Sequence, residues 1–299
     1  MADNKIIMVI VLIAIIGFMF VDDPKSDDNE TPIEQPPSPL NNYSSSISIA
    51  SFNIQIFGKT KADNPDVVAD LIDIVDNFDI IAIQELRDVT EKTMPYFMVE
   101  LNARTKNNYQ YVVSPRLGRT SSKEQYVFIY DPDYVRYIES DIYPDRDDIY
   151  EREPFFARFK ADQFDFVLVN IHIKPSDAVR EIMYLEEVYD YIEEKYEEED
   201  IIILGDLNAD GSYFDEDIFT GIRSDEFIWL IDDEQDTTVA SNDYTYDRMI
   251  IKNGTVQEYT GDVFVYKFDK KPLISPTPEL VSDHYPVFAS FYTDVDEDE

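Results

Sequence analysis

The chain holds two histidines in 299 residues, and each ends an apolar run within a short polar cluster: Val169-Asn170-Ile171-His172 and Ser282-Asp283-His284-Tyr285. Two more clusters, Gly205-Asp206-Leu207-Asn208 and Tyr246-Asp247-Arg248, also border hydrophobic runs. An imidazole takes up and returns a proton near neutral pH, a carboxylate orients it or holds a cation, and an amide donates to an oxygen that gains charge. Gathered at one edge of a sheet, such groups suit metal-assisted hydrolysis of a phosphodiester. Any one of them alone is read more simply as a loop residue satisfying nearby backbone. Their joint occurrence favours chemistry.

For these clusters to meet, strands must carry them. Apolar, β-branched runs at Ile47–Ile54, Ile80–Gln84, Tyr109–Val113, Tyr126–Tyr130, Phe155–Phe159, Phe164–Ile171, Ile201–Leu204, Arg248–Ile251 and Val287–Tyr292 read as strands. Helical spacing marks Pro65–Val75, Lys92–Ala103 and Ser176–Lys195, the last with a stripe of Ile182, Leu185, Val188 and Tyr189. Strands outnumber helices and several follow one another directly. Two packed mixed sheets with helices outside therefore fit better than one doubly wound parallel sheet. Asn53, Glu85, His172, Asp206, Asp247 and Asp283 then fall at strand ends or beside them, where loops on a rigid scaffold collect chemistry. No internal repeat is evident.

The termini stand apart from this pattern. Ile6–Val21 is an apolar run of about 16 residues, near the lower limit for crossing a bilayer, so residues 1–21 read as a signal peptide or a retained membrane anchor. Residues 22–46, rich in Asp, Pro, Ser and Asn, read as a flexible linker, 47–293 as one catalytic domain and 294–299 as an acidic tail. Export follows, with the domain tethered at the extracellular face or secreted. The absence of cysteine excludes disulfides and cysteine-ligated zinc. With 63 acidic against 25 basic residues the formal charge is -38, which repels a phosphate backbone; a nucleic-acid substrate needs a local cationic strip and a divalent metal.

Taken in order, Ser51-Phe52-Asn53-Ile54-Gln55, Ile83-Gln84-Glu85, Gly205-Asp206-Leu207-Asn208 and Ser282-Asp283-His284 resemble the motifs of the endonuclease/exonuclease/phosphatase superfamily. More specifically, Arg116–Tyr126, Arg152-Glu153-Pro154, Pro175–Val179, Asn208–Tyr213 and Tyr246-Asp247-Arg248 resemble deoxyribonuclease I, and the likeness spans about Ile47 to Tyr292. This resemblance implies a four-layered α/β/β/α sandwich. It also implies a monomeric endonuclease that cleaves DNA, mainly double-stranded, with little sequence preference, leaves 5′-phosphate ends, depends on Mg2+ or Mn2+ and is supported by Ca2+.

Carried over by motif, Asn53, Glu85 and Asp283 hold the catalytic cation. Asp206 and Asn208 lie against the scissile phosphate, with Arg152 clamping it and Tyr246 beside it. His172 is oriented by Glu124 as the acid, and His284 by Asp247 as the base. Calcium falls to Asp236, Thr238 and Asn242, and a second ion to Asp148 and Glu153. Arg87 enters the minor groove, but Ser122 stands where the family has a tyrosine. Gly211 replaces one family cysteine, and its partner is replaced near Tyr244. No motif for actin binding transfers. Two rivals remain: a phosphodiesterase of the same fold acting on lipid head groups or another small phosphodiester, and an inactive cation-binding surface module.

Overall fold

Alternation along the strands sorts side chains into layers, because successive residues of a strand face opposite sides. The computed structural model describes residues 45–215, 217–218 and 221–296. Its elements are β1 (Ser46–Phe57), α1 (Lys59–Ala62), α2 (Pro65–Val75), β2 (Ile80–Leu86), α3 (Thr93–Arg104), β3 (Gln110–Val113), β4 (Gln125–Tyr130), β5 (Arg136–Ile142), β6 (Phe155–Ala161), β7 (Phe164–His172), α4 (Ala178–Met183), α5 (Leu185–Tyr196), β8 (Ile201–Asp206), β9 (Phe227–Trp229), β10 (Asp247–Lys252), β11 (Tyr259–Val265) and β12 (Val287–Tyr292). The expected signal or anchor segment and nearly all of the expected linker lie outside the described residues. Among the described residues, no helix is long and apolar enough to cross a membrane.

The strands form two sheets of six, in the orders β11-β12-β1-β2-β4-β3 and β5-β6-β7-β8-β10-β9. Ile47 and Ile49 of β1 pack inward with Phe128, Phe159, Leu168 and Leu204 between the sheets, whereas Ala50 and Phe52 pack outward with Val68, Leu71 and Phe97 from α2 and α3. On the far side, Val169 and Ile203 meet Ile182, Val188 and Ile192 of α4 and α5. The result is the expected four-layered sandwich. Local signals agree with it: Asn64 caps α2 by accepting from Asp66 N, and Pro65 occupies the first turn, where a missing N–H costs nothing.

All nine expected strands are present. The additional ones, β5, β9 and β11, each belong to sheet edges, where one long side lacks a partner and the apolar signal thins. β5, for example, reads RYIESDI and is largely exposed. The expected helix at 176–195 is broken at Tyr184 into α4 and α5, preceded by a short 3-10 turn at Pro175–Asp177.

The structure overturns the absence of a repeat. The two sheets share one connection order, with a central parallel pair, β1/β2 in one and β7/β8 in the other, each flanked by antiparallel strands. The shared order exposes weak likenesses in sequence: Asn53-Ile54-Gln55-Ile56 beside Asn170-Ile171-His172-Ile173, Glu85-Leu86 beside Asp206-Leu207, and Pro286-Val287-Phe288-Ala289 beside Pro154-Phe155-Phe156-Ala157. They escaped notice because the second unit is contiguous while the first is split between the two chain ends.

Gly205 lets β7 and β8 approach closely just before Asp206. Its φ is +152°, and a Cβ there would sit 1.8 Å from the carbonyl oxygen of Ile171. Gly205→Ala is expected to destabilise the fold by about 3 kcal/mol or more, since the clash is with backbone that has no rotamer to yield. Urea unfolding checks this; an unchanged midpoint would contradict it.

Candidate active site at the shared rim of the sheets

Three neighbouring strands of the second sheet each deliver one acid or imidazole group. β8 ends at Asp206, β7 beside it ends at His172, and β10 on the other side begins at Asp247, in register with Asp206. The first sheet adds Asn53 from β1 and Glu85 from β2. Both of these strands are irregular at this rim, with register shifts after Asn53 and Ile83. Gln55, Ile56 and Glu85 adopt positive φ of 41°, 52° and 65°, and Asn208 follows β8 at 48°. Such conformations are costly for residues other than glycine and collect where side chains must be aimed.

Each histidine is gripped at Nδ1 by a buried carboxylate: His172 by Glu124 at 2.8 Å, and His284 by Asp247 at 2.7 Å. Both Nε2 atoms then face the same oxygen, Asp206 Oδ2, at 3.4 and 3.6 Å. Asn53 Nδ2 donates to that oxygen at 2.8 Å and to Glu85 Oε1 at 3.3 Å, so one amide links the sheets. Asn208 N donates to Asp206 Oδ1, and its side chain donates to Ile173 O.

Two arginines hold Glu124. Arg87 Nη2 reaches its Oε1 at 2.6 Å and Glu85 Oε2 at 3.1 Å. Arg152 approaches Glu124 at 3.4 Å and donates twice to His172 O, at 3.1 and 2.9 Å. Burial pushes the Glu124 carboxyl up, but the hydrogen bond from His172 and the charges of His172, Arg152 and Arg87 outweigh it and hold it at about 2. For His284, burial opposes the charged ring, yet Asp247, Asp206 and Asp283 outweigh it and push the pKa up to about 10.

Asp283 places Oδ2 on Gln55 Nε2 at 2.8 Å, while its Oδ1 is buried without a hydrogen-bond partner. Lys61 donates to Ile54 O and Val281 O, tying the end of β1 to the loop that carries Asp283 and His284. Burial lowers its ammonium to about 8, although Asp283 and Glu85 act in the opposite direction. Asn53 turns its Nδ2 towards Glu85 and Asp206 while its Oδ1 accepts from Gln55 N at 2.9 Å, so of the expected cation ligands Glu85 and Asp283 offer carboxylates, the hard donors that Mg2+ or Mn2+ takes. The groups of three ligand atoms found together among the described residues are Glu85, Glu124 and His172, and Asp206, Asp247 and His284. Both contain a histidine–carboxylate pair.

The sequence from residue 50 to 284 matches the endonuclease/exonuclease/phosphatase family. Deoxyribonuclease-1 of Sus scrofa is 37% identical over 256 residues, covering 81% of this chain and 90% of that protein. The Homo sapiens protein of the same name is 37% identical over 257 residues, covering 81% and 91%. The chain belongs to the deoxyribonuclease I family. Among solved structures, humanized D. rerio TDP2 has a TM-score of 0.57 at 16% identity, covering 84% of this chain and 100% of that one, a likeness of fold alone.

Beyond the central cluster, the residues expected from the deoxyribonuclease I family pattern are placed unevenly. Asp236, Thr238 and Asn242 do meet, but through Asp236 Oδ1 to Thr238 and the backbone carbonyl of Asn242, and the Lys267 ammonium already stands 3.3 Å from Asp236 Oδ2. This segment braces the site, since Val239 N donates to Asp283 O and Tyr285 N to Thr237 O. Asp148 pairs with Arg119, and neither it nor Glu153 enters a three-ligand group among the described residues. Arg87 and Ser122 touch at 3.3 Å. Tyr246 lies beside His284, with ring centroids 6.3 Å apart. Gln55, Lys61, Thr237 and Tyr126, whose hydroxyl accepts from His172 N, have no role in the family pattern above; Gln55, Thr237 and Tyr126 lie within its motif segments, whereas Lys61 carries no signal.

Because the folded pKa of Glu124 lies below its ordinary 4.5, the stability it adds is complete above that value and is lost as pH falls from there towards about 2. Urea midpoints measured across this window are expected to fall less steeply for Glu124→Gln than for the parent. Parallel curves would contradict the assignment.

Proposed function

We propose that the chain hydrolyses internal phosphodiester bonds of DNA with little sequence preference, leaving 5′-phosphate ends, and that its two histidines act as an acid–base pair. One observation carries this reading: two imidazoles, each fixed at Nδ1 by its own carboxylate, direct both free nitrogens to Asp206 Oδ2. A phosphate there would have a proton carrier on the side of the attacking water and another on the side of the departing 3′-oxygen.

Asn53, Glu85 and Asp283 would hold the divalent ion; the Oδ1 of Asp283, which takes no hydrogen bond and has His284 Nε2 3.8 Å away, supports that use. Bound there, Mg2+ or Mn2+ would offset charge on the non-bridging oxygens. Asp206 orients the water, whose oxygen forms the new bond to phosphorus as the bond to the 3′-oxygen breaks. One imidazole accepts the proton released by the water while the other protonates the leaving oxygen. His284 as base and His172 as acid is the assignment taken from the sequence, but the carboxylates around His284 favour its protonated form, which is the form of an acid. Asn208 keeps one amide N–H for a phosphate oxygen after donating the other to Ile173 O. Arg152, committed to His172 and Glu124, acts as a positioning residue. Calcium at the Asp236 loop is supported by the resemblance and by its hard donors, against the competing charge of Lys267. Export is supported by the apolar N-terminal run alone.

Nicking of supercoiled plasmid by the full chain is expected with Mg2+ or Mn2+ and absent in chelator. His172→Ala and His284→Ala should each abolish most of it, and the double variant should lose little more than either single one, because a relay fails as a unit. Independent, multiplicative losses would rule out the pair. A folded chain that nicks under no ion or salt condition would shift the reading to a small phosphodiester.

The charge of -38 makes a second measurement informative. Most DNA-binding proteins lose affinity as salt releases less counterion entropy, whereas here salt screens a net repulsion. The kcat/KM on plasmid is expected to rise with added NaCl from low ionic strength. A steep fall would mean that a local cationic strip dominates.

A further inference from the structure

Glu181 is wholly buried, and no step of the hydrolysis uses it. It projects from α4, and each of its oxygens accepts one backbone N–H: Oε1 from Glu151 at 3.1 Å and Oε2 from Lys174 at 3.3 Å. The first donor immediately precedes Arg152, and the second follows His172 by two residues. Glu151 adds its own side chain to the junction, since its Oε1 accepts from Arg119 N and its Oε2 stands 3.6 Å from Lys174 Nζ. Burial pushes the Glu181 carboxyl up to about 7, although the two N–H groups and the Arg152 charge act in the opposite direction. An apolar side chain would be cheaper to bury there, but it would leave both N–H groups without acceptors.

The split repeat supplies a comparison. The helices α2 and α4 follow the equivalent strands β1 and β7, and Asp66–Leu71 (DVVADL) resembles Asp177–Ile182 (DAVREI). Asp70, at the place of Glu181, is also buried and also accepts two N–H groups, from Ile274 and Ser275 at 2.8 Å each. Each acid thus holds a segment ahead of the antiparallel strand beside the parallel pair, β12 in one unit and β6 in the other. What differs is the load. Ile274 and Ser275 adjoin no group of the site, whereas the segments held by Glu181 carry Arg152 and His172.

Resting on the nuclease reading above, we propose that Glu181 is a positioning residue for the His172–Glu124 pair, acting through the backbone of Glu151 and Lys174 and through Arg152. Arg152 donates twice to His172 O and faces Glu124 Oε1 at 3.4 Å, so a shift of the backbone at 151–152 moves both members of the pair. Misplacing such a group by about 1 Å costs up to about 100-fold in rate.

The test compares Glu181→Gln with Asp70→Asn in the full chain. Each swaps a carboxylate for an amide of the same shape, turns an amide nitrogen towards a backbone N–H, and is expected to lower the Tm. Glu181→Gln should also cut the kcat for plasmid nicking in Mg2+ about ten-fold with KM within about two-fold, whereas Asp70→Asn should keep both. Glu181→Asp retains the charge but not the reach, and should lose kcat too. Added to Arg152→Lys, Glu181→Gln should cost little more, because the two act along one path. With two histidines in the chain, each ring can be followed in 15N-imidazole spectra. Glu181→Gln should shift the His172 signals and leave those of His284, and Asp70→Asn should move neither. Equal losses of kcat in the two amide variants, parental kcat in Glu181→Asp, or unmoved His172 signals would overturn the assignment. A parent chain that nicks no plasmid would instead remove the nuclease reading, while the spectra would still decide whether Glu181 positions His172.

Discussion

The carboxylate of Asp206 is the point to which the rest of the molecule is fitted. It receives Asn53 from the other sheet, the backbone of Asn208, and both imidazoles of the site. Glu85, Glu124, Asp247 and Asp283 crowd the same rim, against the cations of Arg87, Arg152 and Lys61. Such a concentration of buried acid persists only where nearly every oxygen has a donor or a charge to face. Glu124 satisfies this condition fully. Asp247 and Asp283 each keep one Oδ1 without a hydrogen bond, and that of Asp283 faces His284 Nε2 at 3.8 Å.

Fixing these groups requires that the two sheets end level, and polar residues beneath the rim see to it. Gln84 Nε2 reaches Asn170 Oδ1 at 2.7 Å and Ser51 Oγ at 3.0 Å, while Asn170 Nδ2 donates to Ile83 O and Val127 O. All three side chains are fully buried in an otherwise apolar inter-sheet layer. A slip of either sheet would strand several of these groups without partners, so the network sets relative register in a way that packing of Phe and Leu alone would not. The fit of acid, amide and imidazole above it follows.

The groups that meet at the rim were legible in the sequence because polar residues at the ends of long apolar strands are conspicuous. His172, Asp206, Asp247 and His284 needed no contact map, and unbroken apolar, β-branched runs, buried on both faces, marked the central strands. What stayed hidden was of a different kind. Edge strands such as β5 and β11 lack the two-sided burial that makes a strand visible. Arg87 and Arg152 look like cations available to a ligand until the structure shows their guanidinium groups occupied by Glu124 and His172 O. Asn242 contributes through its carbonyl, which no residue type encodes. Tyr244 and Gly211 registered only as lost cysteines, since the close approach of the Tyr244 ring to Gly211 depends on geometry across two loops.

The split repeat gives synthesis a direction. The second sheet is encoded without interruption from Arg136 to Lys252, and every strand of it has its neighbours as soon as that stretch has left the ribosome. The first sheet must wait, because β1 pairs with β12, Ser46 against Tyr292, at the far end of the chain. His284 and Asp283 arrive with that last segment. A nascent chain therefore carries one complete sheet and one histidine, and the cluster around Asp206 can close only when translation is almost complete.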